Sequence, residues 1–540
     1  MPLAKAHPVG FTPKGLSDAY DASLAFPGAC RSLQNLVFDQ SNPELVNCRP
    51  GVVSLTSFGG FTTPTFVTCY ITIGNVVYGM VSTGRTAGYD EPFAYNVQSG
   101  TFTTISGVTG GNVPLSPSSA SNTDWTPPSM TVVGTKILIA HAGFSGTGSN
   151  FIGVIDISNP ASPAWSASNL ATNVLPSVPT VVANLNNRAW YVCGNVIYYS
   201  DVLVPLTRTN ASQSLTVGDP SGVIALSGLP VQTTSSGVVQ ALLAFKPFQI
   251  WQITGDTITS NLALNYLSLN VGTSSARSVV QTPYGTTFSA IDGPYVVDAL
   301  GVVKPLTKSP KEEGQDLQQP FIAVRYPSRV SAGYSGGVYR ICMDTIINGN
   351  NQTYEYWFDL QRRRWNGPHT FPQDCTAQMG NYFITSHRTK GAKLYKSEWT
   401  SSPTSVYTDD GSPITFFLES STLPKDGSMQ EKFIIESTIE LSTAGSSVTY
   451  QINAINDQRT VLNSTNIVVP STSSIWGSFA WGAGLWSSSI NTPKVYTIPW
   501  TGPVVFQKFA LQVTGTAQSN VSIGTFFGRY QETGYTNMGS

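Results

Sequence analysis

The stretch that decides the fold is YEYWFDLQRRRWNGP, residues 354–368. From Tyr354 to Leu360 a large apolar side chain recurs at every second position: Tyr354, Tyr356, Phe358, Leu360. That period predicts a β-strand with one buried face. Trp365 then opens a new apolar segment beyond a basic corner of three arginines, Arg362, Arg363 and Arg364. The plan recurs elsewhere. In YNVQSGTF, residues 95–102, Tyr95 and Val97 lead through Gln98, Ser99 and Gly100 to Phe102, and VIDISNPASPAW, residues 154–165, repeats it with a longer Asn-Pro turn. The arginines therefore fill a slot that elsewhere holds turn residues, and the expectation is a solvated hairpin corner. A contact with phosphate or with a protein partner is the alternative.

Hairpins of this kind form seven sets along the chain. They begin at NVVYGMVST with FAYNVQSGTF, KILIAHAG with GVIDIS, RAWYVCGNVIYYSD and VQALLAFKPFQIWQITG. YGTTFSAIDGPYVVDALG, GVYRICMDT with YEYWFDLQRRRW, and GNYFITSHRTKGAKLYKSEW complete them. Their separation, roughly 40 to 60 residues, is the period of a propeller blade. A four-stranded blade cannot bury both faces alone, so blades stack around a channel. The expected fold is all-β: a divergent β-propeller of about six or seven blades over residues 53–405. From 406 to 540 the strands lengthen and alternate more cleanly, which reads as a C-terminal β-sandwich. Residues 1–52, punctuated by Pro and Gly, read as an extended segment lying along a neighbour or lining an interface.

Composition narrows the function classes. Charged residues make up 11% and the formal net charge is −1, so no global basic field draws the chain to nucleic acid or a membrane surface. No apolar run is long enough to span a bilayer. The N-terminal MPLAKAHPVGFTPKG lacks the apolar core of a signal peptide, and synthesis in a cytoplasm is expected. The six scattered cysteines have no zinc-ribbon spacing and are expected as buried thiols.

Motifs for chemistry are sparse. The chain has no G-x-x-x-x-G-K-[ST] loop, no H-E-x-x-H and no G-x-S-x-G. His7, His141, His369 and His387 are widely spaced. The reaction a propeller would make most natural is glycoside hydrolysis, which needs two carboxylates across one cleft. Asp156, Asp201, Asp292, Asp298, Asp344 and Asp359 all lie near strand ends, where Asp also caps turns. No catalytic, metal-binding or cofactor-binding residue is assigned. Trp476, Trp481 and Trp486 in SIWGSFAWGAGLW could stack on sugars or fold onto the sandwich.

At CRSLQNLVFDQSNPELVNCRPGVVSL, residues 30–55, the chain resembles the opening of tail nozzle proteins of short-tailed bacteriophages, the tubular-tail or packaged-DNA stabilisation components. Arg31, Asn35, Leu36, Arg49, Pro50 and Gly51 carry the match. Residues 279–307 and 195–201 also look like that family's blade. The resemblance implies a structural virion protein in the phage tail and no enzyme. It further implies a homo-hexameric ring bound to the head-to-tail adaptor, surrounded by tail fibres or spikes, that retains genomic DNA and conducts it during ejection. Segments 84–92 and 107–128 are candidate gate loops, and the arginine corner would face DNA, an adaptor acid or solvent. The competing reading is a carbohydrate-binding or glycan-cleaving propeller used in host recognition.

Overall fold

The structure is a computed structural model. It describes residues 6–18, 25–39, 41–61, 64–82, 90–108, 127–146, 151–234, 237–256, 261–307, 315–347, 349–380, 382–387, 389–398, 406–425, 430–471 and 493–533. Trp476, Trp481 and Trp486 lie outside these, as do residues 84–89 and 109–126 of the candidate gate loops.

Among the described residues, seven four-stranded antiparallel meanders succeed one another along the chain. Blades one to five are separate sheets, with inner strands Phe66–Ile73, Ser129–Val133, Val181–Leu185, Ala225–Thr234 and Val280–Thr282. Blade six runs from Ser331–Ser335 through Val338–Ile347 and Asn350–Asp359 to Arg364–His369. Blade seven takes Gln373–Met379, Tyr382–His387 and Lys393–Ser397 from late in the chain and its outer strand, Val52–Ser57, from near the start. Each inner strand touches the next, and Gln373–Met379 returns to Phe66–Ile73, closing the ring. The seven sequence hairpins are thus the seven blades, and the ring is latched between its two chain ends.

The sandwich is not built from residues 406–540 alone. In one sheet Val521–Glu532 pairs with Lys432–Thr443, with Ala6–Phe11 and with Val46–Cys48. In the other, Ser412–Ser420 pairs with Ala29–Gln34 and with Ala510–Ala517, followed by Val448–Ile455 and Val461–Val469. The expectation that residues 1–52 run as an extended segment apart from the sandwich is therefore corrected for their described part. Residues 6–11, 29–38 and 46–48 are strands inside this chain's own sandwich, and apolar residues such as Phe11, Leu33, Leu36 and Val46 are buried in its core. Short strands of this kind are stable only because the partner sheet supplies both hydrogen bonds and a buried face.

Blade six joins the two halves. Its outer strand meets Ala29–Gln34 at Leu33–Gly367, so propeller and sandwich share one sheet. This corrects the one-sided burial expected of the 354–360 strand. Glu355, Tyr356, Trp357 and Phe358 are all buried, because the strand has a blade neighbour on one side and core on the other.

Candidate functional site

Among the described residues, two clusters of charged and polar side chains are the candidates: the channel mouth and the joint between propeller and sandwich. At the mouth the inner strands surround a cleft of about 660 Å³ lined by Tyr70, Met130, His141, Arg277, Tyr334 and Asp374, among others. Arg277 sits on a short 3-10 turn, Ala276–Ser278, leading into blade five, and reaches Asp374 on the inner strand of blade seven. Its Nη2 donates to Asp374 Oδ1 at 3.0 Å and its Nη1 to Cys375 Sγ at 3.2 Å. The Tyr70 hydroxyl donates to the carbonyls of Cys375 and Ile384 at 2.6 and 2.9 Å, which fixes blade one to blade seven. Burial pushes the Cys375 thiol up, and Arg277 only partly offsets this. A thiol held protonated is a poor nucleophile. The cleft thus offers an internally neutralised ion pair among hydroxyl and apolar groups, which suits binding of a small polar molecule.

The joint is built from the N-terminal segment. Asn35 takes the left-handed conformation, φ 55°, which Asn tolerates better than most residues. Its Nδ2 donates to Thr370 Oγ1 and to the Thr415 carbonyl at 2.8 and 2.7 Å, and its Oδ1 accepts from Arg49 Nε at 3.0 Å. The buried Arg49 fork then grips Asp409 through both Nη atoms, the bidentate geometry that favours Arg. Beside it Gly51 N donates to the Val406 carbonyl at 2.6 Å, and a Cβ on Gly51 would run into the Thr408 backbone. Leu36 lies in the core and Arg31 is exposed. Near enough to interact electrostatically with Arg49 lies a second buried pair: Arg340 Nε donates to Glu355 Oε1 at 2.6 Å, as does Trp357 Nε1 at 2.9 Å. The Arg340 guanidinium also lies 4.0 Å from the Trp357 ring centre.

The three arginines form a hairpin corner. Asp359 Oδ1 accepts from the backbone of Gln361 and Arg362 at 3.0 and 2.9 Å, and Arg363 takes φ 55°. Arg364 stacks 4.7 Å over Phe38 and donates to the Pro43 carbonyl at 3.3 Å. The corner is therefore packed onto the N-terminal segment rather than fully solvated. Arg362, Arg364, Lys14 and Glu44 line a small cleft of about 380 Å³ there.

The candidate carboxylates do not converge. Asp156 accepts from Lys136 Nζ at 2.6 Å and from Ser158 N at 2.9 Å, and Lys136 above all pulls its carboxyl down to about 2. A group held ionised that strongly is a poor general acid at neutral pH. Asp201 holds Thr209 and Gln213, Asp292 holds Tyr295, Asp298 holds Leu300, Val302 and Lys304, and Asp344 holds Thr353. None of these lines the channel cleft. Among the described residues no three His, Cys, Asp or Glu side chains gather as metal ligands. All six cysteines are buried thiols, and no described helix is long and apolar enough to cross a membrane.

Sequence reading missed Arg277–Asp374 and Arg340–Glu355. The second pair left a signal, an acid inside the aromatic run YEYWF; Arg277, in a plain Ser-rich segment, left none.

No protein-family model matches the chain, and no curated protein does. Several solved structures are distantly similar to it. A Mycobacterium tuberculosis puromycin-hydrolyzing peptidase matches at 9% identity over 70% of this chain and 61% of its own, TM-score 0.37. A puromycin hydrolase matches at 10% identity over 68% of this chain and 62% of its own, TM-score 0.35. The β-propeller domain of the Trilobed protease from Pyrococcus furiosus matches at 7% identity over 62% of this chain and 98% of its own, TM-score 0.33. This chain spans about three fifths of the hydrolases' length. Likeness this distant carries no conclusion about activity; the propeller is read from the strand pairing of the chain itself.

Proposed function

We propose that the chain is a structural, non-enzymatic virion protein of the phage tail: a nozzle subunit of a hexameric ring below the head-to-tail adaptor. That ring would contact tail fibres or spikes, hold packaged DNA and conduct it at ejection. The observation that carries this reading is the R-x-x-x-N…R-P-G segment in which the family resemblance lies. Five of its six residues, Asn35, Leu36, Arg49, Pro50 and Gly51, are built into the joint or the core beside it, so the motif has a physical reason to be intact. Two further features agree with it. The channel cleft is of small-molecule size, so duplex DNA would travel on an axis shared by several copies and not through one propeller. A near-neutral chain also suits a conduit, because clustered Lys and Arg grip phosphate strongly.

The competing reading, a carbohydrate-binding or glycan-cleaving propeller for host recognition, draws on the polar cleft at the channel mouth. The scattered commitments of Asp156, Asp201, Asp292 and Asp298 favour binding over cleavage within it. Gold-labelled antibody on intact phage particles from the source host separates the two. Gold at the distal tail is expected. Unlabelled particles, with the protein detected elsewhere, would overturn the nozzle reading and direct attention to glycan binding at Arg277 and Tyr334.

A further inference from the structure

Blade six and the sandwich meet along a short seam. Gly15–Ser17, Ala29–Gln34 and Leu36–Phe38 all lie against Arg364–His369, the outer strand of the blade. Among the described residues its ladder register with Ala29–Gln34 is the single pair Leu33–Gly367. Separate hydrogen bonds make up the rest. Phe38 N donates to Asn366 Oδ1 at 3.3 Å, Asn35 N to the Pro368 carbonyl at 3.2 Å, and Thr370 N to Asn35 Oδ1 at 3.0 Å. His369 therefore has a seam contact on each side of it, at Pro368 and at Thr370.

Charges from both sides of the seam act on His369, which is 1% exposed. Arg49, bonded to Asn35 and held by Asp409, belongs to the N-terminal side. Arg340 and Glu355 belong to the blade, and Glu355 lies across the strands from His369. Both ring nitrogens and Glu355 Oε2 lack a hydrogen-bond partner among the described residues, so the carboxylate does not reach the imidazole. Burial, two guanidiniums and no acceptor leave the closed seam fit for a neutral ring and not for an imidazolium. The open seam differs. Without Ala29–Gln34 beside it, Arg364–His369 is the edge of its blade, where water reaches the ring while Arg340 keeps Glu355.

We propose that this seam is an acid-sensitive joint: a proton taken by His369 releases Asn35 and its segment from blade six while the propeller stays folded. The repulsion acts across the seam, because Arg49 is bonded to the departing Asn35. Arg340 stays behind with its counter-charge. An open molecule holds one proton more than a closed one. Opening therefore grows as pH falls below about 6.5, the ordinary imidazole value, by up to about tenfold per pH unit.

Hydrogen exchange of the whole chain, read by mass spectrometry from about pH 7.5 to 5 and corrected for the intrinsic pH dependence of exchange, tests this. Peptides covering residues 33–38 and 366–370 report the seam, and Arg188–Cys193 of blade three is the internal reference. In the wild type the seam peptides should lose protection in acid, up to about tenfold per pH unit, while blade three keeps its own. Seam protection that does not change with pH overturns the proposal. So does a parallel loss in blade three, which would be unfolding of the propeller. These two readings need no variant. His369→Phe keeps a ring against Trp357 and cannot take the proton, so its seam should stay protected at pH 5. The same acid loss in that variant would overturn the proposal, since other groups would then be binding the proton.

Discussion

Glu355 lies between Tyr354 and Tyr356 on a strand whose two faces are both buried, and it answers to Arg340 on the neighbouring strand. Both side chains are 2% exposed, so neither charge is solvated if the other is removed. Glu355→Gln should therefore cost about 3–5 kcal/mol, the range for breaking a buried pair from one side. Urea unfolding would measure this, and adding Arg340→Met should recover much of the loss. His369, paired across the strands with Glu355, packs 4.6 Å from Trp357. Neither ring nitrogen has a hydrogen-bond partner among the described residues. Burial first, then the charges of Arg49 and Arg340, hold its pKa well below 6.5. The unfolded chain then binds a proton below pH 6.5 that the folded chain refuses, so stability falls as pH drops beneath that value. The expected slope is up to about 1.4 kcal/mol per pH unit. His369→Phe should flatten the profile between about pH 6.5 and 5, as read by melts in matched buffers.

Elements differ in how much of them sequence can announce. The blade hairpins were legible because each carries its own turn: Val76–Ser82 follows Gly74 and Asn75, and Asp359 caps the arginine corner from within three residues. The closing strand and the sandwich's N-terminal strands were not legible. Ala6 pairs with Gln531 and Val52 with Ser397, and no local pattern encodes partners so distant. Length misled too, since Leu36–Phe38 and Val46–Cys48 are only three residues each. A fragment of residues 406–540 has the composition of a domain yet lacks four strands that complete its sheets. It is expected to show little amide dispersion in NMR and no cooperative melt, whereas the same fragment fused to residues 1–52 should regain both. A cooperative melt in the bare fragment would mean the N-terminal strands are accessory.

On the scale of the whole molecule, one sheet runs from blade six into the sandwich, and Arg49 with Asp409 ties the same two bodies through buried charge. Calorimetry should accordingly give a single transition. Asp409→Asn, which leaves the Arg49 guanidinium buried without its counter-charge, should lower that transition or split it in two. The ring itself bears on how the proposed conduit could work. Seven inner strands enclose a cleft and not a bore, so DNA would meet outer surface, where the chain's net charge of −1 gives little grip. The arginine corner is the obvious exception, but Arg362 is held by Asp359 and Arg364 by Phe38 and Pro43. Each phosphate neutralised steepens the dependence of log K on log salt by about 0.9. Binding through only one or two such contacts, as expected with the arginine corner committed, would give a slope no steeper than about −2 and feeble affinity at physiological salt. Fluorescence anisotropy with a labelled duplex from low to moderate salt measures that slope. A value of about −4 or steeper, relaxed by Arg362→Ala/Arg364→Ala, would mean the corner grips the phosphate backbone, and the DNA-facing surface of the assembly would then have to include the joint.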